Sequence, residues 1–177
     1  MRIAIICYSY THNNLMLAGD IITRTGGTLI PIEEKKSRSK ATIFLDILFH
    51  RTPAIKEYLH LDDRFDHHIL IAPIWGGKIA SPLRTFITKE SSTIKSYSFI
   101  SICGGGKEQG AAIEKELTTI LKNKPVAVSQ LSLVELCKER KTDVLHYRIE
   151  REDLAYFGDQ INEFLASVVN APAPAAI

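Results

Sequence analysis

The chain has 177 residues, 45% of them hydrophobic and 24% charged, the balance of one soluble globular domain. A formal charge of +2 is too small to argue for a nucleic-acid partner, and no apolar run approaches the roughly 20 residues that span a bilayer. Cys7, Cys103 and Cys137 lack disulfide-framework or zinc spacing, so a reducing, cytoplasmic setting is expected.

Residues 3–8 (Ile-Ala-Ile-Ile-Cys-Tyr) form a continuous apolar run, the pattern of a strand buried on both faces. Polar residues 9–14 follow, and then Leu15, Ala18, Ile21 and Ile22 recur at helical spacing until Gly26-Gly27. Thr28 to Ile32 reads as a second strand. Lys35, Lys36, Arg38 and Lys40 read as a solvated loop. Residues 41–49 look helical, Pro53 limits them, and 55–61 are expected to add another turn. A third strand is expected at Ile69 to Ala72, closed by Pro73 and a glycine-containing loop, Ile74 to Lys78.

Ser81-Pro82 starts a helix whose apolar stripe is Leu83, Phe86 and Ile87. Ser98 to Cys103 is a fourth buried strand, followed by Gly104-Gly105-Gly106. Ile113, Leu117, Ile120 and Leu121 mark the next helix, Val126 to Val134 a fifth strand, and Leu154, Phe157, Ile161, Phe164 and Leu165 a terminal helix. The charged stretch between them, 138–152, has no evident function. His67 and His68 lack a matching ligand set for a metal. Residues 1–169 are thus read as one domain, and 170–177 as a mobile low-complexity tail.

Strands alternating with helices imply a parallel sheet covered on both faces. Ligands of such sheets bind beyond the carboxyl ends of the strands. Three loops converge there. The first, Ser9 to Asn14, offers hydroxyls, amides and a helix amino terminus, which suits a phosphate; plain helix capping by Ser9, Thr11 and Asn13 is the alternative. The second carries Trp75 beside Gly76 and Gly77, a flat surface for a planar ligand. The third, Gly104 to Gly106, lets backbone approach a ligand closely, or simply turns. A planar phosphorylated ligand accounts for all three.

These segments resemble the flavodoxin family. Ile5 to Asn14 is similar to its phosphate loop, commonly S/T-x-T-G-N-T. Ile69 to Phe86 is similar to the segment G-x-P-x-W-x-G-x-x-x-x-P-x-R-x-F, and Ile100 to Gly106 fits the loop after strand four. The resemblance implies a doubly wound five-stranded parallel sheet, order 2-1-3-4-5, with helices on both faces and FMN at the β1/β3 switch point. It assigns Ser9, Tyr10, Thr11, His12, Asn13 and Asn14 to the phosphate loop, with Ser9, Thr11, Asn13 and Asn14 on the phosphate itself. Pro73, Ile74, Trp75, Gly76, Gly77 and Lys78 would flank one side of the flavin ring, with Trp75 stacked on it. Cys103, Gly104, Gly105 and Gly106 would flank the other.

His12 stands where the family has glycine and is a candidate partner for the phosphate; Asn14 replaces a threonine. The strand-four loop lacks the aromatic that covers the flavin in many electron carriers. Such carriers are strongly acidic, whereas this chain is slightly basic, with Lys78 and Lys107 in the two ring loops. The resemblance therefore implies an oxidoreductase passing electrons from NAD(P)H to a quinone, a similar acceptor or a redox protein, and forming a homodimer. A one-electron carrier and a binding module without FMN are the alternatives.

Overall fold

The computed structural model describes residues 1–35, 52–62, 64–105 and 107–170; the helix expected at 41–49, Gly106 and residues 171–177 lie outside them. Five strands form one parallel sheet: β1 (Ile3–Cys7), β2 (Thr28–Pro31), β3 (His67–Ile71), β6 (Tyr97–Cys103) and β7 (Val128–Ser132). Their spatial order is β2-β1-β3-β6-β7, which is the expected 2-1-3-4-5 once a small hairpin, β4 (Ile74–Trp75) with β5 (Lys78–Ile79), is set aside. The helices are α1 (Asn13–Thr25), α2 (Ser81–Lys89), α3 (Gly110–Leu121), α4 (Leu133–Glu139), α5 (Asp153–Tyr156) and α6 (Gly158–Val169).

Strand side chains alternate between faces, so each apolar run feeds two cores. Ile3, Ile5, Cys7, Ile69, Ile71, Ile100, Ile102 and Leu131 pack against α1, α4, α5 and α6. Ala4, Ile6, Tyr8, Leu70, Tyr97 and Phe99 pack against α2 and α3. Every residue of β1, β3 and β6 is buried, which is why these strands read as unbroken rather than alternating hydrophobic runs.

The glycine stop after α1 has a steric reason. Gly26 caps the helix at φ 67°, and a Cβ on Gly27 would lie 2.8 Å from Ile5 Cδ1. The sequence reading fails in three places. Residues 55–61 are not helical; Ile55 pairs with Glu34 in an isolated bridge, and Ile55 and Leu61 are buried in the core. The fifth strand ends at Ser132, whose hydroxyl accepts from Val134 N–H and starts α4, so the charged stretch begins in a helix. The loop at 74–78 is a hairpin: Gly76 and Gly77 have φ of 55° and 74°, the geometry of a two-residue type I′ turn.

His67 lies at the amino end of β3 with no exposed surface. Its Nδ1 and Nε2 pair with the hydroxyls of Ser96 and Ser98 at 2.7 and 3.0 Å. Burial, reinforced by His68, pushes its pKa down to about 4. The unfolded chain, titrating near 6.5, therefore binds the extra proton between those values, and stability falls as pH drops from about 6.5 to about 4. The expected loss is about 3 kcal/mol, read as a lower urea midpoint at pH 4.5 than at pH 7. His67→Gln flattens that dependence; an unchanged slope in this variant refutes the assignment.

Candidate functional site

The carboxyl ends of β1, β3 and β6 lead into the three loops, and these meet around one cavity of about 330 Å³. From the first loop Thr11, Asn13 and Asn14 line it; from the second, Pro73, Ile74, Trp75 and Gly76; from the third, Cys103, Gly104 and Gly105. Ser9, Tyr10, His12, Gly77 and Lys78 are not among its lining residues. Larger grooves lie along β7 and α6 and on the outer face of α3, away from the sheet's carboxyl edge.

At the start of α1 the residues suited to capping do not cap. His12 occupies the N-cap position at φ 70°, the left-handed conformation its glycine counterpart would take, and makes no side-chain cap bond. The first helical bond runs from Met16 N–H to His12 C=O, so the N–H groups of Asn13, Asn14 and Leu15 precede the ladder. Among the described residues the buried Ser9 Oγ has no partner. Unsatisfied donors at a helix start are the chemistry that suits an anion.

Asn13 and Asn14 contribute differently from the sequence expectation. Asn14 Nδ2 donates to Ile102 C=O at 3.1 Å, and its Oδ1 accepts from Ile102 N–H at 2.9 Å. Asn13 Nδ2 donates to Tyr147 C=O at 3.0 Å, and its Oδ1 accepts from Ile149 N–H at 3.2 Å. Both carboxamides are spent on protein backbone. What these positions turn toward an anion is backbone N–H.

Trp75 is held edge-on by Tyr8 and Tyr10, with ring centroids 5.8 and 6.2 Å away and planes at 90° and 86°. Tyr10 thus supports the indole rather than lining the cavity. The hairpin carrying Trp75 is clamped from below. Glu116 accepts from Ile79 N–H at 2.9 Å and from Arg84 Nε at 2.8 Å, while Arg84 Nη2 donates to Ile79 C=O at 3.1 Å. Both side chains of this ion pair are largely buried, at 13% and 19% exposure. Arg84 is the arginine of the family-like segment, and its role here is to hold the hairpin.

The glycine wall is tight. A Cβ on Gly104 would meet Val144 Cγ1 at 2.9 Å, and one on Gly105 would meet Gln109 Nε2 at 2.6 Å. Ser132 Oγ donates to Gly105 C=O at 2.8 Å. Burial pushes the Cys103 thiol above its ordinary pKa, so it stays protonated at neutral pH and is a poor nucleophile. Among the described residues no cluster of three or more His, Cys, Asp or Glu side chains could hold a metal, and no helix is long and apolar enough to cross a membrane.

The sequence reading missed the fourth wall. Val144, Leu145, Tyr147 and Arg148 line the cavity from the charged stretch, joined by Leu133 and Gln109. No periodicity marks 144–148, and Asn13, its anchor, is more than 130 positions away in the chain.

The structure is similar to that of a flavoprotein from Lactobacillus acidophilus NCFM in complex with FMN, at 16% identity over 77% of this chain and 97% of that one, TM-score 0.63. It is also similar to a proposed flavoprotein from Bacteroides eggerthii DSM 20697, at 18% identity over 91% and 98% of the two chains, TM-score 0.62. No protein-family model matches the chain, and no curated protein matches it. The strand order and these likenesses establish a flavodoxin-like fold.

Two outcomes follow from this geometry. Asn14→Leu leaves a buried N–H and C=O of Ile102 unpaired and is expected to cost about 2–4 kcal/mol in urea unfolding; a loss below about 0.5 kcal/mol contradicts the role given to Asn14. Glu116→Ala strips Arg84 Nε and Ile79 N–H of their acceptor, and Trp75, the chain's single tryptophan, should report the loosened hairpin as a red-shifted emission.

Proposed function

We propose that this flavodoxin-like domain binds FMN, and that it works as an oxidoreductase passing electrons from NAD(P)H to a quinone or similar acceptor. The observation that carries the first part is the meeting, on one cavity, of an uncapped helix start, a clamped indole and a wall of glycine backbone. These match the three parts of FMN. The unpaired N–H groups of 13–15 and the Ser9 and Thr11 hydroxyls suit the phosphate. Trp75 and the bare backbone of Gly104 and Gly105 suit the two sides of a planar ring. The fit is supported by the unpartnered Ser9 Oγ and by the FMN held by the Lactobacillus flavoprotein of the same fold.

When bound, FMN supplies acceptance and release of a hydride or of single electrons. The chain's own part is to hold it, exclude water and set the local charge. The residues of the phosphate loop that line the cavity, Thr11, Asn13 and Asn14, are neither acids nor bases. Trp75, braced by two tyrosines, keeps its orientation while a ligand enters. The thiol of Cys103 is a neutral neighbour rather than a redox partner. The oxidoreductase reading is favoured over the carrier by the third loop, which has glycines where carriers place a covering aromatic, and by the slightly basic charge of the chain.

Purified protein titrated with FMN should quench the emission of Trp75 and perturb the visible flavin spectrum; no change in either at saturating FMN refutes the cofactor reading. Trp75→Ala is expected to weaken FMN about tenfold, equivalent to the roughly 1.4 kcal/mol of one aromatic contact. Steady-state NAD(P)H oxidation with a quinone tests the reaction: turnover supports the oxidoreductase, and its absence in the FMN-loaded protein favours the carrier.

A further inference from the structure

The charged stretch that sequence patterning could not interpret is a strap, fixed at two points. One is Asp153, whose carboxylate has no exposed surface. It accepts from Tyr147 Oη at 2.9 Å and from Glu150 N–H at 2.8 Å, and it pairs with Arg140 at the end of α4. The other is Asn13, which bonds the backbone of Tyr147 and of Ile149. Arg148 is the residue between those two. Its backbone is therefore held against the first turn of α1.

The guanidinium is oriented as well. Nη1 donates to the carbonyls of His146 and Tyr147 at 3.2 and 3.3 Å. Among the described residues nothing accepts from Nε or Nη2, and no carboxylate pairs with Arg148. Charge balance gives this a meaning. A phosphate monoester carries about −1.5 to −2 charges at pH 7, and a helix start offers only about +0.5. Among the described residues lining the cavity, Arg148 is the one with a full charge, and it lies in the same cavity as Thr11 and the start of α1.

Building on the FMN reading, we propose that Arg148 reads the FMN phosphate: its free N–H edge donates to the phosphate oxygens held by the Ser9–Asn14 loop. The strap is then a part of the binding site, and Asn13 is the residue that couples it to the phosphate loop. A charge-assisted fork of this kind is stronger than neutral hydrogen bonds and specific for oxyanions.

Riboflavin, which lacks the phosphate, separates this role from wall packing. Dissociation constants for FMN and riboflavin are measured by flavin fluorescence for the wild type, Arg148→Ala and Arg148→Lys, at low and high salt. Because Arg148 is exposed, Arg148→Ala keeps the fold, which a urea melt verifies. The expected result is FMN binding about tenfold weaker in Arg148→Ala with riboflavin unchanged, partial recovery in Arg148→Lys, and a smaller difference at high salt. Equal weakening of both flavins, or no weakening of FMN, overturns the inference and leaves the FMN reading standing. A wild type that binds neither flavin overturns both.

Discussion

Two adjacent carboxamides at the head of α1 hold the site together. Asn14 closes a two-bond ring with Ile102 at the end of β6, and Asn13 closes another with the backbone on either side of Arg148. The same turn thus joins the central sheet on one side and the returning strap on the other. Its backbone N–H groups stay open because its side chains are committed elsewhere. A helix start that capped itself would satisfy those donors. The unused capping potential of Ser9 and Thr11 is what distinguishes this loop from an ordinary strand-to-helix turn.

The rest of the site is built on rigid support. The indole of Trp75 is fixed by two tyrosines and by a hairpin whose base is gripped by Arg84 and Glu116. In the glycine wall the side chains of Val144 and Gln109 pack where a methyl group on Gly104 or Gly105 would sit. Positioning of this kind lowers the ordering cost of binding. The chain offers little chemistry of its own there: the described cavity lining is aliphatic and aromatic side chains, hydroxyl, amide, a thiol and glycine backbone, with one cation and no acid–base pair.

Much of this was legible in the residues. Apolar runs at 3–8, 69–72 and 98–103 announce doubly covered strands, and Gly26-Gly27 and Ser81-Pro82 mark helix boundaries through backbone geometry that the structure reproduces. What was hidden depended on distant partners. Residues 55–61 have a helix-like pattern but are held in an extended path, where Ile55 and Leu61 fill the core. The functional weight of 144–148 comes from Asp153 and Asn13, and a stretch of mixed charge without period carries no trace of either. Asn13 and Asn14 line the cavity, yet their carboxamides bond the backbone of Tyr147, Ile149 and Ile102; composition cannot tell an amide that binds ligand from one that binds its own chain.

The two cores have unequal histories during synthesis. The face formed by Ala4, Ile6 and Phe99 is covered by helices complete at residue 121, so it can condense while the ribosome is still extending the chain. The opposite face owes Leu136, Ile149, Phe157, Ile161, Phe164 and Val168 to the last third of the sequence. Until those residues emerge, Ile5, Ile69 and Ile100 have only α1 to cover them on a half-finished sheet. A nascent polypeptide stalled near residue 130 therefore presents a broad greasy plane, the kind of surface that holding chaperones recognise.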